Sequence, residues 1–125
     1  MKSLAPLRLA AQSRQGGLCI YCCLPMARDT DVDQASTHLG IDPVLARQLI
    51  PTAEHLKARS DGGVDSSENI AAAHFLCNSR RHRMNPPPPP DTYAKIAQHQ
   101  VRHGNWFKAP VLRRLLELQK ELSTA

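Results

Sequence analysis

Four cysteines and six histidines lie in this chain of 125 residues, and two short spacings among them are chemically informative. Cys19-x2-Cys22 places two thiolates on a tight turn, and His74-x2-Cys77 offers an imidazole and a third thiolate one helical turn apart. A Cys3His set suits zinc, which accepts sulfur and imidazole tetrahedrally, and four protein ligands leave no open position, so the implied role is structural. Joining residues so distant in sequence also constrains a small unfolded chain. Cys23 adjoins Cys22, but Cys19 and Cys22 have the usual ligand spacing, so Cys23 is read as a spare thiol.

A second constellation is Glu54-His55, Asn69 and Asn78. A carboxylate beside an imidazole on a strand, followed by a Gly62-Gly63 loop and a helix bearing an amide, can hold a metal ion and a water-activating base around one phosphate. That chemistry needs a base to deprotonate water, a hard cation to neutralise the charge on phosphorus and the leaving oxygen, and fixed geometry. Taken singly, a Glu-His pair is an ordinary strand edge and Asn69 an ordinary helix cap; the joint spacing carries the reading.

Positioning these groups requires a hairpin running into a helix. Thr52 to Leu56 reads as a short strand, and Ser60-Asp61-Gly62-Gly63 as a tight reversal in which glycine permits positive φ. A second short strand is expected near Val64. Ser67-Glu68-Asn69 offers capping side chains ahead of a helix from Ile70 to about Arg83. Upstream, Asp42 and Pro43 start a short helix with Val44, Leu45, Leu49 and Ile50 on its apolar side, closed by Pro51. Residues 1–17 show no clear period, end in Gly16-Gly17, and read as a loosely ordered basic lead-in.

The remaining organisation follows from the prolines. Five consecutive ones, Pro86 to Pro90, cannot continue a helix and suggest an extended polyproline II spacer between a core at 18–85 and a helical extension at 91–125. In that extension Asp91 can cap a helix to about His103 with Gly104 as its stop. Pro110 can start another through Leu122, with Leu112, Leu115, Leu116 and Leu118 on one side. Trp106 and Phe107, set among Arg102, His103, Lys108, Arg113 and Arg114, read as packing residues in preference to base-stacking ones. His38, His99 and His103 read as surface or packing histidines.

With only five Phe, Tyr and Trp residues, the core must be mostly aliphatic, and so small a folded unit benefits from a metal staple. The net charge of +5 and pI near 9.3 favour polyanionic partners. The Arg80-Arg81-His82-Arg83 run can grip phosphates or simply stabilise a solvated helix end through the macrodipole. Without an apolar stretch near 18 residues or an h-region, the expectation is a soluble, cytoplasmic protein and no membrane partner. In such a reducing compartment the cysteines are read as metal ligands rather than disulfides.

Glu54-His55-Leu56, Ser60-x-Gly62-Gly63, Asn69-Ile70 and Cys77-Asn78, in that order, resemble the successive blocks of the HNH endonuclease family. The preceding Cys-x2-Cys is similar to its zinc-binding subgroup, and the likeness runs from about Cys19 to Arg83. The resemblance implies an α+β, ββα-metal (His-Me finger) core stapled by structural zinc, with flanking helices. It implies DNA as the substrate, His55 as general base, and Glu54 and Asn78 as ligands of one catalytic divalent ion. Asn69 would hold the loop and His55, and Arg81 would bind the scissile phosphate, with Arg80 and Arg83 as further nucleic-acid contacts. Oxygen donors at the catalytic ion fit Mg²⁺ or Mn²⁺ better than zinc. Glu54 stands where many members carry Asp, and His74 where Cys is more frequent; neither change removes a donor atom. A phage, mobile element or bacterial defence or repair system is the setting such a protein suits. The competing expectations are a catalytically inactive zinc-stabilised module that binds DNA or protein, and a purely structural zinc ribbon.

Overall fold

A computed structural model describes residues 3–124; Met1 and Lys2 of the expected lead-in and Ala125 of the expected extension lie outside the described residues. Two strands, β1 (Pro51–His55) and β2 (Ile70–His74), pair antiparallel, with Glu54 opposite Ala71 and His55 opposite Ile70. β2 leads directly into a helix, Phe75–Arg83. This is the ββα arrangement the sequence implied. Its second strand, however, is not near Val64, which lies exposed in the connecting loop, and residues 70–74 are extended rather than helical. Alanine favours helix in isolation, but here tertiary pairing wins: all five residues of β2 are buried.

Five further α-helices lie among the described residues. Numbered in chain order, they are α1 (Ala5–Arg14), α2 (Val32–Leu39), α3 (Pro43–Ala46), α5 (Pro90–Arg102) and α6 (Ala109–Thr124), with Phe75–Arg83 as α4. α3 starts as expected, Asp42 accepting from the Val44 amide at 2.8 Å. The helical turns of that segment end at Leu49, ahead of Pro51 as expected, and Pro51 also begins β1. α2 was hidden in a polar stretch, although Asp31 caps its amides and Gly40 ends it at φ +65°.

The expected loose lead-in is the ordered helix α1. An isolated ten-residue helix is marginal, and this one is held by docking. Ala11 at its centre is fully buried, and the Gln15 amide that follows exchanges two hydrogen bonds with Ala72, at 2.8 and 2.9 Å. With the Ile20 amide and the Arg14 guanidinium also donating to Ala72 and Ile70 carbonyls, the open edge of β2 is covered, which removes a template for strand addition.

Nor do residues 86–90 hold the C-terminal helices apart from the core. Tyr93 and Ala97 of α5, then Trp106, Phe107, Val111 and Leu115, all enter the same buried cluster as β2 and the Cys19-x2-Cys22 turn, the knuckle. Leu116 departs from the expected apolar side and is exposed, whereas Val111 faces inward. Trp106 and Phe107 are packing residues, as expected. No helix among the described residues is long and apolar enough to cross a membrane.

Candidate nuclease centre

The thiol cluster forms where the first knuckle meets the β2–α4 junction. The Cys19 carbonyl accepts the Cys23 amide at 3.0 Å and the Cys19 amide donates to Leu24 at 2.9 Å, closing the turn that aims Cys19 and Cys22 inward. Cys23 sits exposed at φ +65°, as a spare residue at the turn's apex. His74 is the last residue of β2 and Cys77 lies in the first turn of α4, so the pair spans a strand–helix junction rather than one helix.

The ligand atoms of Cys19, Cys22, His74 and Cys77 all lie within 4.8 Å of one another, and all four residues are buried. Zn–S bonds of about 2.3 Å and Zn–N bonds of about 2.0 Å need tetrahedron edges not far below that separation. The histidine tautomer also fits. His74 Nε2 lies 2.8 Å from the Pro25 carbonyl oxygen, which can only accept, so Nε2 carries the proton and the Nδ1 lone pair faces the sulfurs, 3.2 Å from Cys22 Sγ. A metal-bound histidine is normally fixed by a bond of this kind from its other nitrogen. Trp106 Nε1 donates to Cys77 Sγ at 3.3 Å, and the amides of Tyr21 and His74 donate to Cys19 Sγ at 3.4 Å. Burial raises the Cys22 and Cys77 thiols far above the ordinary range; at Cys19 burial is outweighed by donation from those two thiols and the nearby His74, leaving it well below. The cluster brings three sulfurs and one imidazole nitrogen together in a dry site, and this donor set is compatible with structural zinc.

The second constellation lies along β1. Because side chains alternate across a strand, Glu54 points into the protein while His55 turns toward the loop that joins the strands. Glu54 is only 1% exposed, yet both oxygens of its carboxylate have partners. Oε2 accepts from the Tyr21 hydroxyl at 2.8 Å and from the Arg81 guanidinium at 3.3 Å. Oε1 meets His82 Nε2 at 2.8 Å, and His82 is partly open to solvent. Burial and the Glu54 charge push the Tyr21 phenol well above its usual range, so it remains a donor.

His55 Nε2 lies 2.8 Å from Asp65 Oδ1, and Arg59 reaches both oxygens of the same carboxylate at 3.3 Å. The His55 bond and the Arg59 charge hold the Asp65 carboxyl below its usual range. The loop carrying Asp65 is tied by Asn69, whose amide accepts from the Lys57 N–H and donates to the Lys57 and Val64 carbonyls at 2.8–3.0 Å. Glycine is required within it: Gly62 has φ +89°, and a Cβ on Gly63 would collide with the Lys57 carbonyl oxygen. Asn78, on α4, donates from Nδ2 to Thr52 Oγ1 at 3.1 Å, fixing that helix against β1.

Two expected phosphate contacts are engaged inside the protein. Arg81 is buried, bonded to Glu54 and to the Pro88 carbonyl and set over the Tyr21 ring. Arg80 donates to the Trp106 carbonyl at 2.6 Å, with its guanidinium 4.7 Å from the indole centroid. Arg83 is exposed. A run of like charges says nothing about which members are drawn inward; here Arg81 is buried and Arg80 half-buried, while His82 and Arg83 stay exposed. Sequence reasoning missed Tyr21, His82 and Asp65. For His82 a signal existed, since it follows Asn78 by four residues and so shares its helix face; for Tyr21 the only hint was an aromatic residue inside Cys-x2-Cys.

Comparison with known families matches residues 48–84 to the HNH endonuclease model. That segment spans the turn before β1, the loop, β2 and α4, and leaves Cys19, Cys22 and the C-terminal helices outside it. No curated protein and no solved structure matches the chain.

Proposed function

Taking residues 48–84 as an HNH endonuclease domain, we propose that the protein hydrolyses DNA phosphodiester bonds, with His55 as general base and one divalent ion, Mg²⁺ or Mn²⁺, held by Glu54 and Asn78. The observation that carries this reading is the buried Glu54, whose Oε2 is locked by two donors while Oε1 is left to the half-exposed His82. A carboxylate so divided offers one oxygen to a cation, and His82 adds a nitrogen donor next to it. That mixed oxygen and nitrogen set admits Mn²⁺ at least as readily as Mg²⁺. An ion bound there would neutralise charge developing on the phosphate and at the leaving oxygen.

The tautomer of His55 follows from its partner. Asp65 can only accept at neutral pH, so Nε2 carries the proton and Nδ1 is the basic nitrogen. Nδ1 takes a proton from water, the water oxygen bonds to phosphorus, the bond from phosphorus to O3′ breaks, and the departing 3′ oxygen takes a proton from solvent, leaving 5′-phosphate and 3′-hydroxyl ends. Asn69 keeps the loop, and through it Asp65, in register with His55. Arg83 supplies an exposed phosphate contact, while Arg81 supports Glu54. The net charge of +5 favours a DNA partner through counterion release.

Supercoiled plasmid incubated with wild type and His55→Ala, with Mg²⁺, with Mn²⁺ and with neither, tests the proposal. Conversion to nicked or linear DNA should require added metal and fall by about 10²–10⁴-fold in the variant, the usual contribution of a general base. A folded, zinc-loaded wild type that binds plasmid and never cuts it would instead indicate a binding module.

A further inference from the structure

We propose that Tyr21, carried between the two zinc-ligating thiols of the knuckle, is the positioning residue that turns Glu54 toward its divalent ion, so that the thiol cluster and the catalytic carboxylate are coupled through one phenol. The proposal rests on the reading of Glu54 as a metal ligand.

Tyr21 is pinned from every side. Its amide donates to Cys19 Sγ at 3.4 Å, its carbonyl accepts from Gln98 of α5 at 3.0 Å, and its ring stands edge-on to Tyr93 at 4.8 Å between centroids. With only 1% of its surface exposed, the phenol has one place to put its hydroxyl, which lies 2.8 Å from Glu54 Oε2.

The terminal torsion of a glutamate is broad and weakly preferred, so a carboxylate without fixed partners samples many orientations. Tyr21 and Arg81 both grip Oε2, and that choice of oxygen matters. It leaves Oε1 on the side of His82 and sets the plane in which a cation can be bound. Arg81 makes the longer of the two bonds, 3.3 Å, and the phenol, anchored to the knuckle backbone, is the more rigid donor. Partners of this kind orient a ligating carboxylate, and their loss typically costs about 10–100-fold in metal affinity. Because the same residue bonds a knuckle sulfur, distortion of the thiol cluster reaches Glu54 through a single side chain.

The test compares zinc-loaded wild type with Tyr21→Phe, which keeps the ring and removes only the hydroxyl. Mn²⁺ binding is measured by calorimetry without DNA, cleavage is followed across a Mn²⁺ series, and DNA affinity is measured without added divalent ion. Mn²⁺ affinity should fall about tenfold, with cleavage lost at limiting Mn²⁺ and regained at saturation, and with DNA affinity unchanged. Wild type and variant binding Mn²⁺ equally, while wild type cuts, would overturn the proposal and leave the nuclease reading intact. A wild type that neither binds Mn²⁺ nor cuts would overturn both. Should Tyr21→Phe fail to retain zinc, wild-type protein labelled with 3-fluorotyrosine decides the matter by fluorine NMR, with the two tyrosines assigned through Tyr93→Phe. Addition of Mg²⁺ should move the Tyr21 resonance, and an unmoved resonance at saturating Mg²⁺ would sink the coupling.

Discussion

The two ends of this molecule's chemistry are built on opposite principles. Around Cys19, Cys22, His74 and Cys77 every ligand is buried, and the hydrogen bonds that reach these side chains from outside the set come from backbone amides, a carbonyl and the indole of Trp106. Along β1, His55 meets Asp65 of an exposed, glycine-containing loop that Asn69 ties, and Glu54 Oε1 meets His82 at the half-open end of α4. The difference separates a dry, over-determined cluster suited to holding the fold from a wet, locally tied loop that suits the proposed function, with room for a polyanion and its water. The two meet on α4, where Cys77 faces the cluster and Asn78 faces β1, and at Tyr21.

The most forceful way to break the contrast is to remove zinc. Apparent binding free energies of structural zinc in small domains are about 10 kcal/mol or more, so a chelator or Cys77→Ser should abolish the cooperative thermal transition seen by circular dichroism. Cys23→Ser, one residue from a ligand, should leave both metal content and that transition unchanged; a zinc loss there would reassign the knuckle.

Trp106→Ala is the next largest expected effect. It removes a buried indole and its bond to Cys77 Sγ, and truncations of this size cost about 3–5 kcal/mol. Denaturant unfolding should show the loss, and stability retained within about 1 kcal/mol would mean that the C-terminal helices contribute little to the cluster side.

On the loop side, Asn69→Ala should separate function from stability. Three exposed hydrogen bonds disappear, worth about 1–3 kcal/mol together in such a setting. Because the loop positions His55 through Asp65, cleavage should drop by more than the small shift in melting temperature suggests, and an equal loss in both would argue that the loop is merely structural.

Asp65 gives the smallest effect, visible only in acid. Its carboxyl is depressed by His55 first and Arg59 next, so its contribution to loop order is complete above the ordinary aspartate range of about 3.9 and fades as pH falls through the lower folded value. Loop amides followed by hydrogen exchange should lose protection below that range in wild type. In Asp65→Asn they should show the same protection at pH 5 as at pH 3, and a wild-type slope persisting in the variant would place the titration elsewhere.

The sequence alone determined what depends on residue type and short spacing: the Cys3His set, the Glu54-His55 pair, Asn69 as the loop holder, Asp42-Pro43 at the start of α3, and Trp106-Phe107 as packing residues. These were legible because metal ligation, capping and glycine turns are local demands that few residues satisfy. Tertiary structure alone decided that Ile70–His74 is a strand, since antiparallel pairing and burial on both faces override the helical preference of three alanines. It also decided that α1 is ordered, because the free edge of β2 supplied acceptors and donors for Gln15 that no local pattern announces. The same holds for Arg81, Tyr21 and His82 at Glu54: a buried carboxylate must be neutralised by whatever polar groups the fold brings to it, and those groups come from segments 27 to 33 residues away.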